Sequence, residues 1–103
     1  MDKIFEEIRA ERKRQDEKFG EQNHLMLGKF YSPESCEGIA KLHKEVNRFK
    51  AGLRNDCFSW LTILLEEVYE VFAETDPKKQ REEMIQVAAV AVNIIQCLER
   101  KNP

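Results

Sequence analysis

Apolar residues along this chain recur at intervals of three and four positions, the spacing that places them on one face of an α-helix. The clearest stripe follows Pro33, where apolar residues come at steps of 3, 4, 3 and 4: Ile39, Leu42, Val46, Phe49 and Leu53. No segment alternates apolar and polar residues for long enough to indicate a strand. The pattern therefore predicts an all-α fold.

Glycine, proline and capping residues divide the chain into four helices with short connections. They predict helices over about 2–19, 33–52, 57–74 and 78–100, with a loop over 20–31. The expected start signals are Ser32 and Pro33 for the second helix, Arg54, Asn55 and Asp56 for the third, and Thr75, Asp76 and Pro77 for the fourth. The apolar face of the third helix consists of Leu61, Leu64, Leu65, Val68 and Phe72. We expect one domain over residues 1–103, arranged like a four-helix bundle.

The fourth predicted helix is apolar around most of its circumference. From Met84 to Leu98 it has 15 consecutive residues without a charge, fewer than the roughly 20 that a membrane span needs. A helix that is apolar all round has to be buried all round, and three other short helices can hardly cover it. We therefore expect a homodimer or homotetramer in which this helix packs against a partner subunit. A central helix wrapped by its own chain is the alternative.

Composition narrows the classes of function. The chain has 17 Lys and Arg against 19 Asp and Glu, a net charge of −2, without the basic excess that a nucleic-acid polymer requires. The N-terminus lacks the apolar run of a signal peptide. Cys36, Cys57 and Cys97 are odd in number and lack CxxC spacing, which fits a reducing compartment. We expect a cytoplasmic protein with neither a membrane nor a nucleic-acid polymer as its partner.

The pattern that can carry chemistry is a set of acids on the last two helices. Glu67 and Glu70 lie one turn apart, beside the apolar face of the third helix. If the third and fourth helices pack antiparallel, as a short connection favours, Glu83 comes level with Glu70 and Gln86 with Glu67. Acids gathered at an apolar seam repel one another and lose solvent, and Mg²⁺ or Mn²⁺ relieves both effects. The spacing of these acids by itself does not distinguish a metal site from a solvated acidic helix face.

These residues resemble the signature of the MazG-like all-α nucleoside triphosphate pyrophosphohydrolases, which is ExxE, a spacer and then ExxD. Here the ExxE of Glu67 and Glu70 is followed, after twelve residues, by Glu83-Met84-Ile85-Gln86. The stretches 11–24 and 86–92 are similar to a phage-associated and bacterial subgroup that includes dATP/dGTP pyrophosphohydrolases. These segments are spread over the chain from residue 11 to residue 92.

The resemblance implies a MazG-type oligomeric bundle that hydrolyses a nucleoside triphosphate, above all a dNTP, to the monophosphate and pyrophosphate. Its role would be nucleotide-pool sanitation or phage nucleotide metabolism. It also implies that Mg²⁺ is held by Glu67, Glu70 and Glu83, with Gln86 at the position of the family's fourth acid. An amide offers an oxygen but no charge. A helical oligomer that binds nucleotide or a protein partner without turnover is therefore the alternative.

Further residues are candidates for catalysis and for substrate binding. We take Glu66 and Glu67 as catalytic, with Glu66, or else Glu74, as the proton acceptor; an exposed helix acid is the alternative for each acceptor. Trp60 either stacks on the base or is a half-buried core residue, and Asn93 either binds a base edge or bridges helices. The candidate substrate contacts are Lys18, Gln22, Asn23, His24, Lys50, Arg54, Trp60 and Asn93.

Overall fold

The computed structural model describes residues 1–48 and 58–101, and within these ranges it contains helices and loops but no strand. The helices in chain order are α1 (Asp2–Phe19), α2 (Pro33–Arg48), α3 (Trp60–Ala73) and α4 (Pro77–Lys101). The all-α prediction is thus confirmed. The predicted end of α2 near Gly52 and the caps predicted at 54–56 lie outside the described residues.

Side-chain caps set the starts of α2 and α3. The Ser32 hydroxyl accepts a hydrogen bond from the Ser35 amide at 3.1 Å. The Ser59 hydroxyl accepts one from the Thr62 amide at 3.2 Å, while the Thr62 hydroxyl accepts one from the Ser59 amide at 3.0 Å. This reciprocal pair is a capping box. Because Ser59 supplies the cap, α3 begins at Trp60, later than the predicted start at position 57, which lies outside the described residues.

The connection between α3 and α4 is the tight turn that the sequence predicts at 75–77. The Glu74 carboxylate accepts hydrogen bonds from the amides of Thr75 and Asp76 at 3.1 and 3.0 Å. The Asp76 carboxylate then accepts one from the Lys78 amide at 3.2 Å, with Pro77 in the first helical position. So short a turn makes the two helices antiparallel neighbours.

The central helix is α3, which packs against α2 on one side and α4 on the other, whereas α1 makes only marginal contacts with the other helices. Few apolar side chains are fully buried among the described residues: Ile4, Cys36, Ala40, Val71 and Val92. On α3 the completely covered residue is Val71, while Leu61 is 63% exposed. The core prediction for Leu61 is wrong because it assumes that a single apolar face of α3 is buried, whereas α3 lies between two neighbouring helices.

The face of α2 that meets α3 is not its most apolar stripe. It contains Cys36 and Ala40, both buried, followed by His43 and Asn47 at helical spacing, which contact α3. Leu42 on the predicted stripe is 60% exposed, so its assignment to the core is wrong. Small side chains let the two helices approach closely, and polar side chains between them find partners on α3. Hydrophobic periodicity predicts neither the close approach of small side chains nor the pairing of polar side chains across the interface.

A large apolar surface remains uncovered in the single chain. Its accessible surface is 8472 Å², whereas about 6000 Å² is expected for a folded monomer of this mass. The radius of gyration is 16.0 Å, against about 13 Å for a compact domain of this length. None of the described helices has the length and apolarity needed to cross a bilayer. The exposed apolar side chains include Phe5, Ile8, Phe19, Leu42, Leu61, Met84, Ile85 and Leu98.

Replacing the α3 cap tests this account of where the helix begins. We expect Ser59→Ala to lower the free energy of unfolding by about 1 kcal/mol, because the Thr62 amide loses its acceptor. Ser59→Asp keeps an acceptor and should stay within a few tenths of a kcal/mol of wild type. Urea unfolding followed by circular dichroism measures both. Equal losses in the two variants would contradict the capping role.

Candidate metal centre

Three carboxylates gather on one side of α3. Glu66, Glu67 and Glu70 each offer an oxygen atom, and these oxygens all lie within 4.8 Å of one another. Helix geometry brings them together because residues three and four apart are neighbours on a helix surface. All three side chains are half-buried. Like charges at this separation and with reduced solvation call for either shared protons or a bound cation. We call these three residues the acid cluster.

The protonation of the acid cluster reflects this crowding. The pKa of Glu70 is raised to about 7, and burial is the largest cause. The charge of Glu67, a hydrogen bond to Glu66 and the Glu66 charge act in the same direction, whereas Lys44 on α2 opposes them. Without a cation, the cluster therefore retains a proton near neutral pH.

A fourth acid reaches the cluster from α4. Burial is the largest cause that raises the pKa of Glu67, followed by the charges of Glu66 and Glu83. Burial likewise raises the pKa of Glu83, with Glu74 and Glu82 adding to the effect and Lys79 opposing it. Glu83 therefore acts on the cluster through the effect of its charge on Glu67, although it is not one of the acids whose oxygens lie within 4.8 Å of one another.

Two carboxylate oxygens at this junction are buried without a donor. Glu67 Oε2 on α3 and Glu83 Oε2 on α4 are shielded from solvent and have no hydrogen-bond partner among the described residues. A desolvated anionic oxygen without a donor is costly, and native structures normally provide it with a partner. A donor set made only of carboxylate oxygens fits Mg²⁺ or Mn²⁺. The residues present therefore fit the metal that the sequence predicts.

Glu66 belongs to the acid cluster and is not a free surface acid. It is half-buried, and Glu66 Oε1 accepts a hydrogen bond from Asn47 Nδ2 at 2.7 Å. The alternative of an exposed helix acid is thus wrong for Glu66. The other candidate proton acceptor, Glu74, already accepts the two amides of the turn before α4. Glu66 is consequently the better placed of the two for proton transfer.

A cavity of about 370 Å³ opens beside the acids, between α2, α3 and α4. Two lysines from α2, Lys41 and Lys44, face it, and Lys44 also lowers the pKa of Glu70. Sequence reasoning missed both lysines because, before α2 is placed on α3, they look like other solvated cations. The lining residues are Glu37, Ala40, Lys41, Lys44, Glu70, Ala73, Glu74 and Glu83.

The predicted contacts from α1 and the following loop lie elsewhere. His24 Nε2 and Gln22 Oε1 are hydrogen-bonded to each other at 2.8 Å, and Asn23 donates to Glu21 at 3.2 Å, all on an exposed loop. The Lys18 ammonium lies 5.2 Å from the centre of its neighbouring Phe ring. None of these residues lines the cavity beside the acids. Lys50 and Arg54 lie outside the described residues.

The remaining predicted contacts lie at the margins of α3 and α4. Gln86 and Asn93 are both exposed, because the half-buried seam of α4 follows Glu83, Val87 and Val90 and leaves the two amides on its flank. Asn93 is therefore not a buried bridge between helices. Trp60 is half-buried in the first turn of α3. The roles of Gln86, Asn93 and Trp60 toward a metal or a substrate stay predictions.

The raised pKa of Glu70 predicts how the thermal stability of the protein depends on pH. Its ordinary value is 4.5 and its folded value about 7, so the folded chain binds the extra proton between these limits. The contribution of Glu70 to the free energy of unfolding is fully present below the unfolded-state pKa. It is lost as the pH rises through the folded-state pKa. We expect the melting temperature of the metal-free protein to fall between about pH 5 and about pH 8, and that of Glu70→Gln to fall less.

Differential scanning calorimetry in the presence of a chelator measures this pH dependence. Adding Mg²⁺ to the wild type at about pH 8 should raise the melting temperature, because a cation replaces the missing proton. Identical pH profiles for wild type and Glu70→Gln would contradict the assignment.

Comparisons with known proteins assign no family: scans against family models, curated proteins and solved structures all gave no match to this chain. The case for metal binding therefore depends on the residues themselves. They are three adjacent carboxylates on α3, a fourth on α4 and a lysine on α2. Carboxylate oxygens are the donor type that hard divalent cations prefer in proteins.

Proposed function

We propose that this chain is a Mg²⁺-dependent nucleoside triphosphate pyrophosphohydrolase that converts a (d)NTP and water to the (d)NMP and pyrophosphate. The observation that carries the proposal is the pair of buried, unpartnered oxygens on neighbouring helices, Glu67 Oε2 and Glu83 Oε2. The resemblance to the MazG-like pyrophosphohydrolases supports the substrate class and a MazG-type bundle. Nucleotide-pool sanitation or phage nucleotide metabolism is the role that follows from it.

The proposed ligands are Glu67, Glu70 and Glu83, with Mn²⁺ as an alternative to Mg²⁺ and with Gln86 at the fourth position. Mg²⁺ held by these residues would offset the charge of the triphosphate and would lower the pKa of water. Lys44 adds a fixed cation on the α2 side of the cavity, where it can contact phosphate oxygens. The acids and this lysine thus offer complementary contacts to one triphosphate.

Glu66 supplies the proton acceptor for the proposed reaction. A water oxygen bonds to the α-phosphorus while the bond from that phosphorus to the bridging oxygen breaks, so pyrophosphate leaves. The water proton passes to the Glu66 carboxylate, which lies in the acid cluster beside the ligands. Glu67 contributes the charge that holds the cation next to this acceptor.

A second candidate function is binding of nucleotide or of a protein partner without turnover. The observation that favours it is Gln86, which is neutral and exposed where the resemblance places a fourth acid. A site with three carboxylates binds a second cation more weakly than a site with four. The two candidates differ in whether pyrophosphate is released.

Hydrolysis assays test the first candidate. We expect pyrophosphate release from at least one nucleotide in a panel of dNTPs and NTPs with Mg²⁺ or Mn²⁺. Glu67→Gln and Glu83→Gln should each lower kcat/KM by about 100-fold or more, because each removes a charged ligand. Glu82→Gln is the matched control on α4, since Glu82 is exposed and directly precedes Glu83; it should retain activity.

Full activity in Glu67→Gln would contradict the site, and no turnover of any nucleotide would contradict the enzyme. If no nucleotide is turned over, a melting temperature that rises with nucleotide and Mg²⁺ together would support binding without turnover. A melting temperature that responds to neither would contradict both candidates.

We also propose that the chain forms a homodimer or homotetramer. The accessible surface exceeds that of a compact monomer by about 2400 Å², an area in the range of obligate homodimer interfaces. Apolar side chains are exposed on every helix, and on α4 they include Ile85 at 58% and Leu98 at 54%. Exposed apolar surface of this extent marks an interaction site.

Light scattering coupled to size-exclusion chromatography measures the mass of the assembly. We expect two or four times the chain mass of 12.1 kDa. Ile85→Glu should shift the assembly toward smaller species, because it places a charge on the exposed apolar face of α4. The control Arg81→Glu, on an exposed polar position of the same helix, should not. A monomeric wild type at micromolar concentration would contradict the proposal.

A further inference from the structure

Asn47 on α2 forms a direct hydrogen bond to the acid cluster. Its Nδ2 donates to Glu66 Oε1 at 2.7 Å and to the Thr62 carbonyl oxygen at 3.1 Å. Its Oδ1 accepts from the Thr62 hydroxyl at 2.8 Å. The amide is half-buried and lies between α2 and α3. Both hydrogens on the amide nitrogen and the amide oxygen are therefore engaged.

This pattern fixes the direction of the Asn47 amide. If the amide were flipped, its oxygen would face Glu66 Oε1 and the Thr62 carbonyl, and three acceptors would meet without a donor. These two acceptors decide the orientation, because the single hydrogen of the Thr62 hydroxyl can go either to Asn47 Oδ1 or to the Ser59 carbonyl oxygen. Thr62 lies one turn before Glu66 on α3, so the contact ties the start of α3 to the acid cluster.

The contact also constrains Glu66. The hydrogen bond from Asn47 holds Glu66 Oε1 against α2 while the Glu66 carboxylate keeps an oxygen within 4.8 Å of those of Glu67 and Glu70. A glutamate on a helix surface otherwise samples several rotamers, and most of these would move its carboxylate out of the cluster. Removal of a residue that orients groups around a metal site commonly lowers metal affinity or activity by about 10- to 100-fold.

We infer that Asn47 is a positioning residue of the metal centre, which acts by holding the Glu66 carboxylate in the acid cluster. The inference rests on the metal site of the proposed function and deepens it. It makes the packing of α2 on α3 a condition for metal binding. It also assigns a role to a polar residue on the α2 face that hydrophobic periodicity overlooks.

The test is Mn²⁺ affinity, measured by electron paramagnetic resonance on the full chain. We expect Asn47→Ala to bind Mn²⁺ roughly 10- to 100-fold more weakly than wild type. Gln80→Ala is the matched control, because Gln80 also donates its amide between helices, to the Val71 carbonyl at 3.2 Å, but does not touch the cluster. It should lower thermal stability and leave Mn²⁺ affinity unchanged. Asn47→Leu, which keeps the side-chain shape, replaces Asn47→Ala if the latter does not fold.

A double-mutant cycle shows whether Asn47 acts through Glu66. The double variant Asn47→Ala, Glu66→Gln should bind Mn²⁺ no more weakly than Glu66→Gln alone. Wild-type affinity in the Asn47 variants, or additive losses in the cycle, would overturn the inference and leave the proposed function standing. Mn²⁺ binding without hydrolysis would overturn only the function, because the affinity comparison still decides the role of Asn47. A wild type that binds no Mn²⁺ would overturn both.

Discussion

Repulsion among desolvated carboxylates is the constraint on which the rest of this structure depends. Glu66, Glu67 and Glu70 have oxygens within 4.8 Å of one another on a half-buried helix face, and Glu83 adds its charge from α4. Burial and the neighbouring charges raise the pKa of Glu70 to about 7, so without a cation a bound proton reduces the repulsion. The packing of α3 against two neighbours maintains this arrangement although it opposes stability, which is typical of functional sites.

The site is assembled by the two seams of α3. The α2 seam brings the lysine that faces Glu70 and the amide that holds Glu66, and the α4 seam brings Glu83. The fully buried described residues are all apolar, and the acids of the site are half-buried. Small and polar residues of α2 meet α3, whereas side chains such as Leu42, Leu61 and Ile85 leave apolar surface exposed. A second copy that covers this surface would stabilise the seams, and with them the site.

Much of the fold follows from interactions between residues that are close together in the sequence, and these can be predicted from the sequence. Helix bounds depend on local signals, so α1, the loop that begins at Gly20 with its positive φ, and the turn at 75–77 capped by Glu74 and Asp76 agree with the predicted positions. The neighbouring positions of Glu67 and Glu70 follow from helix geometry alone. The level of Glu83 follows from that geometry plus one short turn. These relations need no knowledge of how distant segments pack.

Tertiary packing decided which side chains contact each other between α2 and α3, which are not joined by a short turn. Periodicity selects the most apolar stripe of α2, yet Cys36 and Ala40 meet α3, because small side chains allow close approach. That rotation of α2 is what brings Asn47 to Glu66 and turns Lys44 toward Glu70. The sequence by itself determined which acids share a helix face. Only the tertiary structure decided which groups surround them, because burial and charge at a site depend on every element packed against it.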